Sequence, residues 1–159
     1  DRIPLNDLAL ILESILNHAV GHTDINSLTD SVRVDLGRLV CEQFRDQEGT
    51  LQTITFEPEL DGHLRQSLHQ GQLVIGPDAL GKLIQSVNRL WGECRRRQQH
   101  AALLVDASLR RPLKMVLARS VPDLRLLSYQ EVPHEMIINS LHAIALDDVV
   151  VEPAQGKAA

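Results

Sequence analysis

Residues 101–131, AALLVDASLRRPLKMVLARSVPDLRLLSYQE, restrict the fold more than any other stretch of the chain. A small aliphatic run, Ala101 to Val105, meets the polar turn Asp106-Ala107-Ser108. A helical spacing of Leu113, Val116 and Leu117 follows, then Pro122-Asp123 and a second aliphatic run, Leu124 to Leu127. That order is the pattern of two parallel strands joined by a crossover helix, because parallel neighbours cannot be linked by a tight turn. Ser108 is placed to cap the helix and Pro112 to lie in its first turn, where a missing N–H costs little. No glycine loop follows the first strand, so the phosphate cradle of nucleotide-binding units is missing. The unit reads as one that presents a surface.

Upstream the pattern is helical. Leu8, Ile11, Leu12, Ile15, Leu16 and Ala19 keep the spacing of one apolar stripe and predict a helix over 5–20. Asn6 or Asp7 can cap it and Gly21 can end it. A second helix is expected over 28–45, with Ser27 and Asp30 in capping-box form and Leu28, Val32, Leu36, Leu39, Val40 and Phe44 inward. The two make a helical hairpin. Composition shifts at Gln47-Glu48-Gly49, and Leu51 to Phe56 then alternates as a strand. A helix over 59–69, a break over 71–76 and a long helix from Pro77 to the Arg95-Arg96-Arg97 run follow. A last strand is expected within 136–146, a helix over 134–146 being the alternative.

The fold class is therefore α+β, a helical subdomain followed by a small α/β subdomain with a mixed sheet. Residues 1–48 form the helical part, 49–147 the α/β part, and 148–159 a disordered tail. The chain opens at Asp1 without methionine, which suggests a piece of a longer polypeptide, and no run of about 18 apolar residues marks a membrane span. Aromatic residues make up 3% of the chain and its net charge is −5, which argues against nucleic acid as the main partner. Cys41 and Cys94 lack metal-ligand spacing and read as reduced, buried thiols.

Catalytic signatures are sparse. His18 and His22 have the spacing of a helical metal pair, but no third ligand is near and exposed helix-end histidines are the simpler reading. Asp106 lies at a strand's carboxyl end, with Ser108 two residues on, where a small hydrolase could place its groups. A capping role explains Ser108 without chemistry. No catalytic, cofactor or metal residue is assigned. Arg110 and Arg111 oppose the dipole of the helix they open, which marks them as contacts to a neighbour. Arg33 and Arg38 lie largely outside the second helix's apolar stripe and are read as subunit contacts. An Arg33→Glu change is expected to weaken assembly.

Three stretches together resemble one family. Ile3-Pro4-Leu5-Asn6-Asp7-Leu8 with Ile11-Leu12-Glu13-Ser14-Ile15, Leu28-Thr29-Asp30-Ser31-Val32-Arg33, and Pro122-Asp123-Leu124-Arg125-Leu126-Leu127-Ser128-Tyr129-Gln130-Glu131-Val132 are similar, in order and interval, to motifs of the bacterial export-gate proteins shared by flagella and type III secretion systems. Asn6 departs from the family's arginine and Asp30 from its glutamate. The resemblance implies the third and fourth cytoplasmic subdomains of a protein whose absent N-terminal half sits in the bacterial inner membrane. It further implies a nonameric homo-oligomer ring with no cofactor and no enzyme activity. The ring receives export chaperone–substrate complexes, meets the secretion ATPase complex and helps order export.

Overall fold

A computed structural model describes residues 7–22 and 24–150. Three helices come first: α1 (Leu8–Ala19), α2 (Ile25–Asp35) and α3 (Gly37–Cys41). Then follow β1 (Leu51–Phe56), α4 (Pro58–Gln66), the short strands β2 (Leu68–His69) and β3 (Gln72–Leu73), and α5 (Pro77–Arg96). The chain continues through β4 (Ala102–Val105), α6 (Ala107–Leu117), β5 (Leu126–Ser128) and β6 (Ile138–Ile144).

The class is α+β, with its two kinds of strand pairing in separate sheets. The main sheet has the order β5-β4-β1-β6, and every neighbouring pair in it is parallel. The antiparallel pair is β2-β3, a hairpin turned at Gln70 and Gly71. Both turn residues have positive φ, 50° and 75°, the backbone that lets a two-residue loop follow strand twist. This hairpin replaces the expected break and cuts the preceding helix short of Leu68.

A parallel sheet must be covered on both faces, and the alternation along β4 shows how. Leu103 and Val105 point to one apolar layer, with Leu60 and Leu64 of α4, Leu83, Val87 and Leu90 of α5, and Leu109, Leu113 and Leu117 of α6. Ala102 and Leu104 point to the other layer, with Val32, Leu36, Val40, Cys41 and Phe44. Residues on either side of position 48 thus share one core. Fully burying each such aliphatic side chain contributes roughly 1.5–3 kcal/mol.

Several local expectations change. The second helix begins at Ile25, capped by Asp24, whose carboxylate accepts from the amides of Asn26 and Ser27 at 2.8 and 2.9 Å. It breaks at Leu36 and resumes as α3. Gly37 meets Glu131 there so closely that a Cβ would lie 2.0 Å from the Glu131 carbonyl oxygen. Asp106, not Ser108, caps α6, and Pro112 falls inside that helix beyond its first turn. Its missing N–H leaves the Ser108 carbonyl without the usual helical donor. The last strand forms as β6, and the helical alternative is excluded. Val149 is 1% exposed and belongs to the core, so residues 148–150 are no tail. Residues 151–159 and the helix start at Leu5 lie outside the described residues.

α1 is the largest departure. Most of its apolar stripe stays in solvent, with Leu8 at 55%, Leu12 at 51% and Leu16 at 73% exposure, while Ile11 packs against the layer that holds Val32 and Leu36. Ser14 is its buried residue. The helix docks on α2 by a polar edge: Ser14 Oγ donates to Asp35 at 2.7 Å and His18 Nε2 meets the same oxygen at 2.9 Å. His22 joins its Nδ1 to the His18 carbonyl at 2.9 Å and its Nε2 to Ser31 Oγ at 2.8 Å. Both histidines therefore fasten the helical hairpin rather than hang free at a helix end.

Candidate functional site

The polar groups that the fold brings together form a charge network between α2, α6 and the turn after β5. Ser128 opens that turn, and Glu131 closes it as a capping box. Glu131 Oε2 accepts the Ser128 amide at 3.2 Å. The remaining acceptor capacity of the carboxylate faces two arginines. Arg33 donates through Nε and a terminal nitrogen to Oε1 and Oε2 at 2.8 and 2.9 Å, a bidentate pair. Arg110 Nε lies 3.3 Å from Oε1. The Arg33 and Glu131 side chains are 3% and 1% exposed, so the pair is sealed from solvent.

Arg110 also reaches outward to Asp30, and Arg111 joins the other oxygen of that carboxylate at 3.0 Å. Arg111 further donates to the Asn26 carbonyl at 2.7 Å. Asp30 is half-exposed, so the network grades from dry at Glu131 to wet at Asp30. A buried carboxylate facing two guanidiniums is stable only because each charge is matched and each donor placed. Cys41 packs behind it, its Sγ 3.6 Å from the Glu131 carbonyl oxygen. Burial and then the Glu131 charge push the Cys41 thiol up to about 12.

The four arginines singled out by sequence therefore divide. Arg33 is not on an outer face but inside, and Arg110 is equally taken up within the chain. Arg38 pairs with Glu135 in solvent, its side chain 76% exposed, and Arg111 remains partly open. Sequence reasoning passed over Glu131. Its signal was present, since Ser128 and Glu131 stand in capping-box spacing.

The hydrolase alternative finds no support at Asp106. That carboxylate accepts from the Ser108 amide at 2.9 Å and the Ser108 hydroxyl at 2.5 Å. The hydroxyl bond holds Asp106 below the ordinary carboxylate range, as expected of a helix cap. A cleft of about 650 Å³ among the described residues is lined by Trp91, Arg95, His100, Ala101 and Arg125. These residues lie at the amino ends of the strands, so the cleft does not include Asp106 or Ser108. Among the described residues no group of three His, Cys, Asp or Glu could hold a metal ion. Nor is any described helix long and apolar enough to cross a membrane.

Comparison with known proteins then decides the family, because the FHIPEP family model matches residues 1–137. The chain belongs to the FHIPEP family. It corresponds to the C-terminal cytoplasmic region of these export-gate proteins and is thereby part of a type III export-apparatus component. Among FHIPEP relatives it is 31% identical to the flagellar biosynthesis protein FlhA of Yersinia enterocolitica over 83% of this chain and 19% of that protein. It is 30% identical to the harpin secretion protein HrpI of Erwinia amylovora over 92% of this chain and 21% of that one. The chain spans about a fifth of the length of these relatives. The Chlamydia pneumoniae CdsV structure superposes with a TM-score of 0.73 at 26% identity, covering 89% of this chain and 42% of that one. The Shigella flexneri MxiA structure gives 0.74 at 22% identity, covering 89% and 46%, a likeness of fold.

Proposed function

We propose that this chain is a ring-building and docking segment of an export gate, placed at the cytoplasmic face of the bacterial inner membrane. It works as a scaffold rather than an enzyme. Its full-length protein receives chaperone–substrate complexes, meets the secretion ATPase complex and helps order export. The observation that carries the reading is the uncovered apolar stripe of α1. Leu8, Leu12, Ile15 and Leu16 form a contiguous exposed face of the kind that marks a protein contact. Shared fold with the nonameric EPEC SctV-C assembly, at a TM-score of 0.71 over 90% of this chain, supports a ring as the setting of that contact. A solved Chlamydia pneumoniae CdsV and CdsO complex supports a gate that also binds other proteins.

The stripe serves as the apolar centre of a subunit contact, and the more exposed arginines, Arg38 and Arg111, serve as further charged contacts to a partner. Exposed charges steer and select more than they hold, contributing roughly 0–1 kcal/mol each. Sedimentation velocity over a concentration series tests the reading. The chain is expected to self-associate weakly, and Leu16→Glu to abolish association while leaving the far-UV circular dichroism unchanged. A chain that stays monomeric at every concentration, or associates equally well with Leu16→Glu, would remove α1 from the contact.

A further inference from the structure

We infer that the cleft at the amino ends of the parallel sheet docks a short acidic peptide segment of a partner protein. A carboxylate of that segment meets Arg95, and a neighbouring apolar side chain packs on Trp91. The inference concerns a different face from α1 and stands independently of ring assembly.

Aromatic residues are the first reason. The whole chain has one Trp, one Tyr and two Phe, yet Trp91 and Phe44 both line this one cleft. Rigid aromatic walls are the usual anchors of a binding pocket. Arg95 lies over one of them, its guanidinium carbon 4.8 Å from the Trp91 ring centroid. A cation–π contact restrains the guanidinium and lowers the freedom it loses on binding.

Charge is the second reason. Arg95, Arg125 and His100 line the cleft against the single carboxylate of Asp123, in a chain whose net charge is −5. The cleft is therefore a locally basic place on an acidic protein, and charge complementarity selects an acidic occupant. The overall negative charge repels a long polyanion such as nucleic acid.

Shape is the third. A second cleft of about 360 Å³ shares Gln98, Gln99 and His100 and continues to Arg45 and Asp46. The two together make an elongated groove that suits an extended chain better than a compact anion. Gln98 stands at φ 58°, a left-handed conformation that strains a non-glycine residue. This turn carries the chain off the end of α5 and aligns Gln99 and His100 along the groove. Gln99 lines both clefts, and its Oε1 is buried with no donor among the described residues, so its amide can turn toward an occupant without that oxygen losing a bond.

Trp91 is the only tryptophan, which makes its emission a direct report on the cleft. The test titrates the 159-residue chain with three probes: a blocked Asp-Leu-Asp-Leu-Asp-Leu hexapeptide, its Lys-Leu counterpart, and inorganic triphosphate. The acidic peptide is expected to give a saturable emission change that weakens with added salt. Arg95→Ala should weaken binding about tenfold, the effect of one charge-assisted hydrogen bond, and Arg95→Lys should recover part of it. Arg119→Ala, at an exposed position outside the cleft lining, should bind as the parent does. Absence of a saturable change up to millimolar peptide would overturn the proposal. So would an equal response to the Lys-Leu peptide, or full displacement by triphosphate at the same concentration, which would mark a general anion site.

Discussion

Glu131 is the residue on which the rest of the molecule leans. It caps a turn, pairs with Arg33 and Arg110, and its carbonyl is pressed against Gly37. Glu131→Gln removes one charge, leaves the buried Arg33 guanidinium without a counter-ion and leaves Arg110 with Asp30 alone. The expected cost is about 3–5 kcal/mol, read as a lower urea midpoint with an unchanged slope. Arg33→Glu should be worse, because it places two carboxylates in contact. Its consequence is a folding defect, not the selective loss of assembly expected of an arginine on an outer face. Cys41 supplies a second check at this scale. With its thiol pushed up to about 12, the thiolate is scarce at neutral pH. Cys94 is shifted in the same direction by burial. Ellman's reagent should therefore find no fast-reacting thiol in the native chain and two in denaturant. A rapid stoichiometric reaction at neutral pH would show that the thiol is not sealed.

Four carboxylates, Asp24, Asp35, Asp106 and Glu135, are held below their ordinary values, and two of them set the test on the acid side. Asp35 is held below its ordinary value of 3.8, first by the Ser14 hydroxyl and then by His18, against the opposing effect of burial. Asp106 is held below the same value chiefly by Ser108. A lowered folded pKa means stability that is complete above the unfolded value and lost as pH falls through the folded one. Stability should accordingly hold at neutral pH and decline below about pH 4. In Asp106→Asn, an adequate cap with nothing to titrate, that decline should be shallower. Denaturant midpoints measured at pH 7 and pH 3 decide the matter; identical losses in parent and variant would refute it.

At the level of elements, glycine substitutions separate close packing from empty space. Gly37→Ala would force its new methyl into the Glu131 carbonyl, and should cost about 1–3 kcal/mol as the helix break shifts. Gly81 and Gly92 lie inside α5 with open space where a methyl group would sit. Alanine at either should raise stability by up to about 1 kcal/mol, since glycine is the poorer helix former. Thermal unfolding of the three variants gives opposite signs if the packing is as described. The same contrast explains which elements were legible. α5, β1 and β4 follow from periodicity and a proline at a helix start, all local signals. The break at Leu36, the hairpin at Gln70-Gly71 and the cap at Asp106 escape a sequence reading because each competes with a plausible neighbour. Ser108 looks like a cap, yet it donates to one. Residues 71–76 look like a loop, yet their first residues pair backwards.

Across the whole molecule, the helical segment and the α/β segment meet through one apolar layer on the sheet and one charge network. They should therefore unfold together. Trp91 emission reports the α/β part and far-UV circular dichroism reports all helices, and the two urea transitions are expected to coincide. Separate transitions would mean that 25–44 is an independent unit. The Asp30 link is half-exposed and should be the salt-sensitive part of this docking, since mobile ions screen it while leaving the Glu131 pair untouched.

Local sequence was enough to specify the class of the fold, the strands β1, β4 and β5 of the parallel sheet, the long fifth helix and the kinship to export-gate proteins. Those features depend on hydrophobic period, on punctuation by Pro and Gly, and on motif order, all of which are written along the chain. The destination of the charged side chains was not. Arg33 and Glu131 are 98 residues apart, and only the packing of α2 against the turn after β5 turns a surface-looking arginine into a buried ion pair. The exposure of α1 was equally hidden, because an apolar stripe tells that a helix needs a partner but not whether its own chain supplies one.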